Sequence, residues 1–88
     1  MDAKEYNELL NKIDIGDKTS LKRIYDVHIV VLYDYLYNLF ADKDKTNDIL
    51  AAFFIDIWNN TNNYINFNDD VSNFLINKLN AFMEENYD

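Results

Sequence analysis

The sequence predicts an all-α fold, a small four-helix bundle formed by one domain over residues 1–88. Three observations predict it. Apolar residues recur at i, i+3, i+4 and i+7 in successive stretches, the spacing of one helical face. The 88 residues include one glycine and no proline, so few turns are encoded, and long helices with short connections are favoured over a β-sandwich. Aromatic residues make up 16% of the chain. Large rings let a small domain bury enough area when no cysteine is present to cross-link it.

The first helix is expected over 3–13. Tyr6, Leu9, Leu10 and Ile13 make its apolar face, and Asp2 can cap its N-terminus. Gly16 ends the segment, because a helix C-terminus favours a residue free to take positive φ. The second helix is expected over 18–41, capped by Thr19 or Asp17. Leu21, Ile24, Tyr25, His28, Leu32, Tyr35, Leu36, Leu39 and Phe40 fall on one side of it. Val27 to Leu32 is rich in β-branched residues that also suit a strand. Helix is preferred because the 3.6-residue pattern continues on both sides.

The third helix, expected over 45–60, is the one around which the others are expected to pack. Its core reads NDILAAFFIDIW from Asn47 to Trp58, with Ile49, Leu50, Phe53, Phe54, Ile57 and Trp58 on the apolar face. Thr46 or Asp44 is its expected cap. The Asn-rich segment 59–70 is expected to be a loop whose Tyr64, Ile65 and Phe67 fold back onto the core. A last helix over 70–84, capped by Asp69 or Asp70, carries Val71, Phe74, Leu75, Leu79 and Phe82, and is expected to fray after Met83.

The formal net charge is −8. It is uneven: residues 1–45 carry −2, whereas residues 46–88 carry −6, with Lys78 the only base there. A chain of this charge is repelled by nucleic-acid phosphates, whose binding needs Lys or Arg to displace counterions, and by anionic membranes. No apolar run is long enough to span a bilayer. With no basic-then-apolar leader pattern and no cysteine, a cytoplasmic location is expected.

Four segments resemble region 2 of bacterial sigma factors of the extracytoplasmic-function type. Lys12-Ile13 with Gly16-Asp17 and Leu21 is similar to the family's short helix, Gly-Asp turn and anchor. Ile24-Tyr25, Leu32-Tyr33, Leu39-Phe40 and Asp42 fall where the family has paired apolar and aromatic positions and a following Asp. Asp48, Ile49, Phe54 and Trp58 resemble its Asp-Ile-Val-Gln-Glu-Val-Phe-x-x-x-Trp helix, the most specific part of the match, and Phe74-Leu75 its Trp-Leu. The resemblance covers nearly the whole chain. It implies a helical bundle whose second and third helices dock on the clamp-helix coiled coil of RNA polymerase or on an anti-sigma factor. It also implies that the last helix and the loop before it face the −10 promoter strand. A second DNA-reading helical domain is expected outside this chain where the protein has one.

On that resemblance the partner-binding positions are Asp48, Ala51, Ala52 and Ile55, and the DNA-facing positions are Tyr64, Phe67, Asn77 and Lys78. Two departures bear on function. Ala51 and Ala52 stand where the family has a Gln-Glu pair, part of its polymerase-facing surface. The last helix, FLINKLNAFMEENYD, is acidic where the family is basic; single-strand binding relies on a positive groove as well as on stacking aromatics. Promoter reading is therefore expected to be weakened or lost.

The plain readings of the same residues are structural. Phe53, Phe54, Ile57 and Trp58 form a helical aromatic stripe, which is usually packing. Asp48 is either a partner contact or a charge favoured at a helix start. His28, the only histidine, is expected to be a buried, hydrogen-bonded core residue, since a zinc site needs several ligands. Tyr64 and Phe67 are expected to anchor the core rather than stack on bases. Asp69-Asp70 and Glu84-Glu85 are read as capping or solvated acids, because catalytic carboxylates need a cleft that perturbs their pKa. No nucleophile–base pair, metal set or phosphate loop is visible, so no enzyme, cofactor or small-molecule substrate is expected. Three readings remain: a sigma-region-2-like domain, a sigma mimic without promoter binding, and a helical oligomerisation module unrelated to transcription.

Overall fold

The computed structural model describes residues 1–66 and 70–87. They form α1 (Ala3–Asp14), α2 (Lys18–Phe40), α3 (Lys43–Asn59), a 3-10 turn over Thr61–Tyr64, and α4 (Val71–Asn86), with no strand among the described residues. An aspartate starts every helix. Asp2 accepts from the Glu5 N–H at 2.8 Å, Asp17 from those of Thr19 and Ser20, Asp42 from Lys45 at 3.1 Å, and Asp70 from Asn73 at 3.0 Å. Each carboxylate satisfies an amide that has no intrahelical partner. The Thr19 and Ser20 hydroxyls also donate to Asp17. These bonds, that of Thr19 foremost, hold its carboxyl below the usual range.

Gly16 takes φ 93°. Its N–H reaches the Ile13 carbonyl, and that of Asp17 the Lys12 carbonyl, which closes α1 and turns the chain into α2. Ala41 closes α2 in the left-handed region at φ 51° without being glycine.

The helix ends fall within two residues of the expected ones, and three differences have a structural reason. α3 begins two residues earlier, at an Asp42 cap; Thr46 lies within the helix and is fully buried, and Asp44 lies in its first turn. The Asn-rich segment contains the 3-10 turn. α4 continues past Met83 to Asn86, because the Tyr87 N–H still bonds to the Met83 carbonyl and the Tyr87 ring lies 6.1 Å from that of Phe82.

Burial settles the ambiguous middle of α2. Ile24, His28, Leu32 and Leu36 are buried at a constant four-residue spacing, a helical period, whereas Val30 and Val31 face solvent. α3 supplies the largest buried set: Ile49, Leu50, Phe53, Phe54 and Ile57. Phe53 is wholly buried and meets Phe54, Tyr64 and Phe82 edge-on. The spine of the bundle, however, is α2, which packs against α1, α3 and α4.

The loop after α3 is fixed by polar bonds to α1. The Tyr6 hydroxyl donates to the Tyr64 carbonyl at 2.7 Å. Asn7 exchanges two bonds with the backbone of Asn66, at 2.7 and 2.9 Å. Tyr64 is buried as expected, while Ile65 is 36% exposed and does not fold inward. Phe67, expected to do so, lies outside the described residues. His28 is buried, but its Nε2 finds no hydrogen-bond partner among them, so the expected hydrogen-bonded core histidine is buried without that bond. Burial lowers its pKa and favours the neutral ring.

Candidate protein-docking face

α2 and α3 pack side by side in opposite directions. Their inner sides meet α1 and α4; their outer sides leave a furrow lined by these two helices alone. One half, about 470 Å³, lies between Tyr25, Ile29, Val30 and Tyr33 of α2 and Asn47 and Ala51 of α3. The other half, about 430 Å³, is bounded by Leu21, Lys22, Phe54, Ile55 and Trp58. Tyr25 belongs to both. Its ring stands edge-on to Phe54 with centroids 5.0 Å apart. The two halves therefore adjoin along the pair, with the Tyr25–Phe54 contact between them.

The furrow is apolar because α2 carries more large side chains than its inner stripe accommodates. Tyr25, Ile29, Tyr33 and Tyr37 follow one another every four residues along the outer ridge. Tyr33 and Tyr37 stack nearly parallel, with centroids 6.0 Å apart. Val30 is 67% exposed and Ile55 60%. Scattered exposed apolar residues are ordinary, whereas a contiguous patch marks a binding surface. Ala51 keeps the α3 wall low, so a partner backbone can approach closely.

Of the expected partner-binding residues, Ala51 and Ile55 line the furrow. Asp48 is exposed and lies three residues before Ala51, on the same stripe of α3 at its outer edge. Ala52 is half-buried and does not line the furrow. Tyr25, expected on the apolar side of α2, lines the furrow instead, together with Ile29, Val30 and Tyr33. The signal for them was the four-residue tyrosine ladder running beside the buried stripe.

The expected DNA-facing residues that the structure describes are Tyr64, Asn77 and Lys78. Tyr64 is 4% exposed. Its ring meets Phe53 edge-on at 5.6 Å, and its hydroxyl donates to the Asp56 carboxylate. Burial first, then this bond, pushes its pKa far up, so it stays a neutral donor. It presents no open face for a base. The Lys78 ammonium folds back over the Phe74 and Tyr64 rings, at 5.6 and 5.9 Å, and shares a recess of about 210 Å³ with Asp56 and Glu85. Asn77 is exposed on α4 outside that recess, and Phe67 lies outside the described residues.

Among the described residues no group of three His, Cys, Asp or Glu could hold a metal ion, and no helix is long and apolar enough to cross a membrane. The chain matches no family model, no curated protein and no solved structure.

Proposed function

We propose that the chain is a helical protein-docking domain of the transcription apparatus, working in the cytoplasm, whose α2–α3 furrow receives a helical segment of RNA polymerase core or of an anti-sigma factor. The observation that carries this reading is the furrow of two adjoining, mainly apolar recesses, one holding Ala51 and the other Ile55. A furrow between two helices, with an alanine in one wall and aromatic side chains along the other, suits the helix-in-groove mode, in which apolar anchors recur every three to four residues. The resemblance to sigma region 2 supports the choice of partners, since the same helix pair is the docking surface there. Promoter reading is not part of the proposal: Tyr64 is inside the core, and Lys78 is held among acids and rings.

Capture of polymerase core, or of purified anti-sigma proteins, by the immobilised domain tests it. Ile55→Asp, at an exposed position, should abolish capture while leaving the helical circular-dichroism signal intact.

A further inference from the structure

We infer that in the free protein the α2–α3 furrow is covered by a second copy of this chain, seated antiparallel across a two-fold axis. The inference rests on the furrow being a docking face, though not on which transcription protein docks there. Its ground is the charge along the furrow. One end carries Lys18 and Lys22, and the other Asp34 and, at the outer edge of α3, Asp48. Lys22 is paired to Asp26 at 2.6 Å, but both side chains are at least half exposed. Such a pair contributes little and stays free to exchange partners, and the charged residues that line that half of the furrow are Lys18 and Lys22.

An isologous interface sets the same patch against itself in reverse. With the axis near Tyr25 and Phe54, where the two halves of the furrow meet, the Lys18 end of each copy lies over the Asp34 end of the other. The exposed Val30 and Ile55 and the Tyr25 ring are covered between them. A parallel arrangement would instead oppose like charges. Glu84 and Glu85 do not oppose the pairing at close range, because α4, which carries them, lies on the other side of the α2–α3 pair, and Asp26 is already paired with Lys22.

Size is consistent with a reversible dimer. The molecule measures 34 × 23 × 21 Å, so a contact along the furrow alone covers less than the roughly 800 Å² per partner of a standard interface, as suits a weak pairing. The dimer would hold the furrow shut until a partner competes for it, which makes availability of the face depend on concentration.

Sedimentation equilibrium of the intact chain over a concentration series, with Ile55→Asp and charge-reversal variants, is the test. The expected result is a monomer–dimer equilibrium of about micromolar dissociation constant that Ile55→Asp abolishes. Lys18→Glu with Lys22→Glu, or Asp34→Lys with Asp48→Lys, should each weaken it by about tenfold or more. All four together should restore it, since reversal of both ends recreates the complementarity. A chain that stays monomeric into the millimolar range, a dimer indifferent to Ile55→Asp, or a quadruple variant as weak as either half would overturn the inference. Capture of polymerase or anti-sigma proteins, read separately on the same variants, shows whether the docking reading survives a monomeric result.

Discussion

The Tyr6 hydroxyl donates a 2.7 Å hydrogen bond to the Tyr64 carbonyl, 58 residues further along the chain. Both residues are buried, so water cannot replace the bond. Tyr6→Phe keeps the ring and its edge-on contact with Phe74 but strands a buried carbonyl. The expected cost is about 1–3 kcal/mol, read as a fall in the urea midpoint at unchanged slope. An unchanged midpoint would show that the loop is not fastened to α1 in this way.

Ala41 offers a gain of stability. It closes α2 at φ 51°, where a side chain is disfavoured by about 1–2 kcal/mol, partly offset by the greater unfolded-state entropy of glycine. Ala41→Gly should therefore stabilise the domain by roughly 0.5–1 kcal/mol, visible as a higher thermal midpoint. A lower midpoint would place Ala41 in another backbone region.

His28 sets a pH dependence. Burial lowers its native pKa below the 6.5 of the free side chain. Between the two values the unfolded state binds more protons, so stability rises with pH across that window. The contribution is present above 6.5 and is lost as pH falls through the native value. Denaturant midpoints should drop on mild acidification, before most carboxylates titrate. His28→Leu should remove that drop while keeping the core filled. An equal acid response in the variant would assign the effect elsewhere.

The charge and burial of α4 and its loop bear on nucleic acid. Lys78 is the only base in residues 46–88, so almost no counterion release is available, and Tyr64 has no exposed face. An AT-rich single strand should bind no more tightly than about millimolar at physiological salt. Fluorescence anisotropy with a labelled oligonucleotide decides this; micromolar binding that weakens steeply with salt would restore promoter reading.

Much of the fold was legible because each level of the sequence agreed with the next. Asp2, Asp17 and Asp70 precede apolar-periodic runs, and Gly16 follows one. The α3 start was misplaced because Asp42, Asp44 and Thr46 are all acceptable caps, and only tertiary packing, which buries Thr46, separates them. The end of α4 was misplaced for a similar reason: the Phe82–Tyr87 ring contact is a product of the folded helix. The furrow was half legible. Ala51 and Ile55 came from the resemblance, whereas Tyr25 carries the same apolar signal as Ile24 beside it. Which of the two is covered depends on where the neighbouring helices lie, and periodicity within one helix does not encode that.

Whether the furrow between α2 and α3 receives a protein helix is tested most directly by the affinity of the isolated domain for the clamp-helix coiled coil of RNA polymerase and for candidate anti-sigma proteins, with Ile55→Asp and Asn77→Asp compared side by side. Both positions are exposed, so both variants should fold. The account predicts binding that Ile55→Asp weakens by at least about tenfold, since an interface anchor commonly contributes more than about 1.4 kcal/mol, while Asn77→Asp on α4 leaves it unchanged. Equal binding by the wild type and Ile55→Asp, or binding lost only with Asn77→Asp, would contradict it.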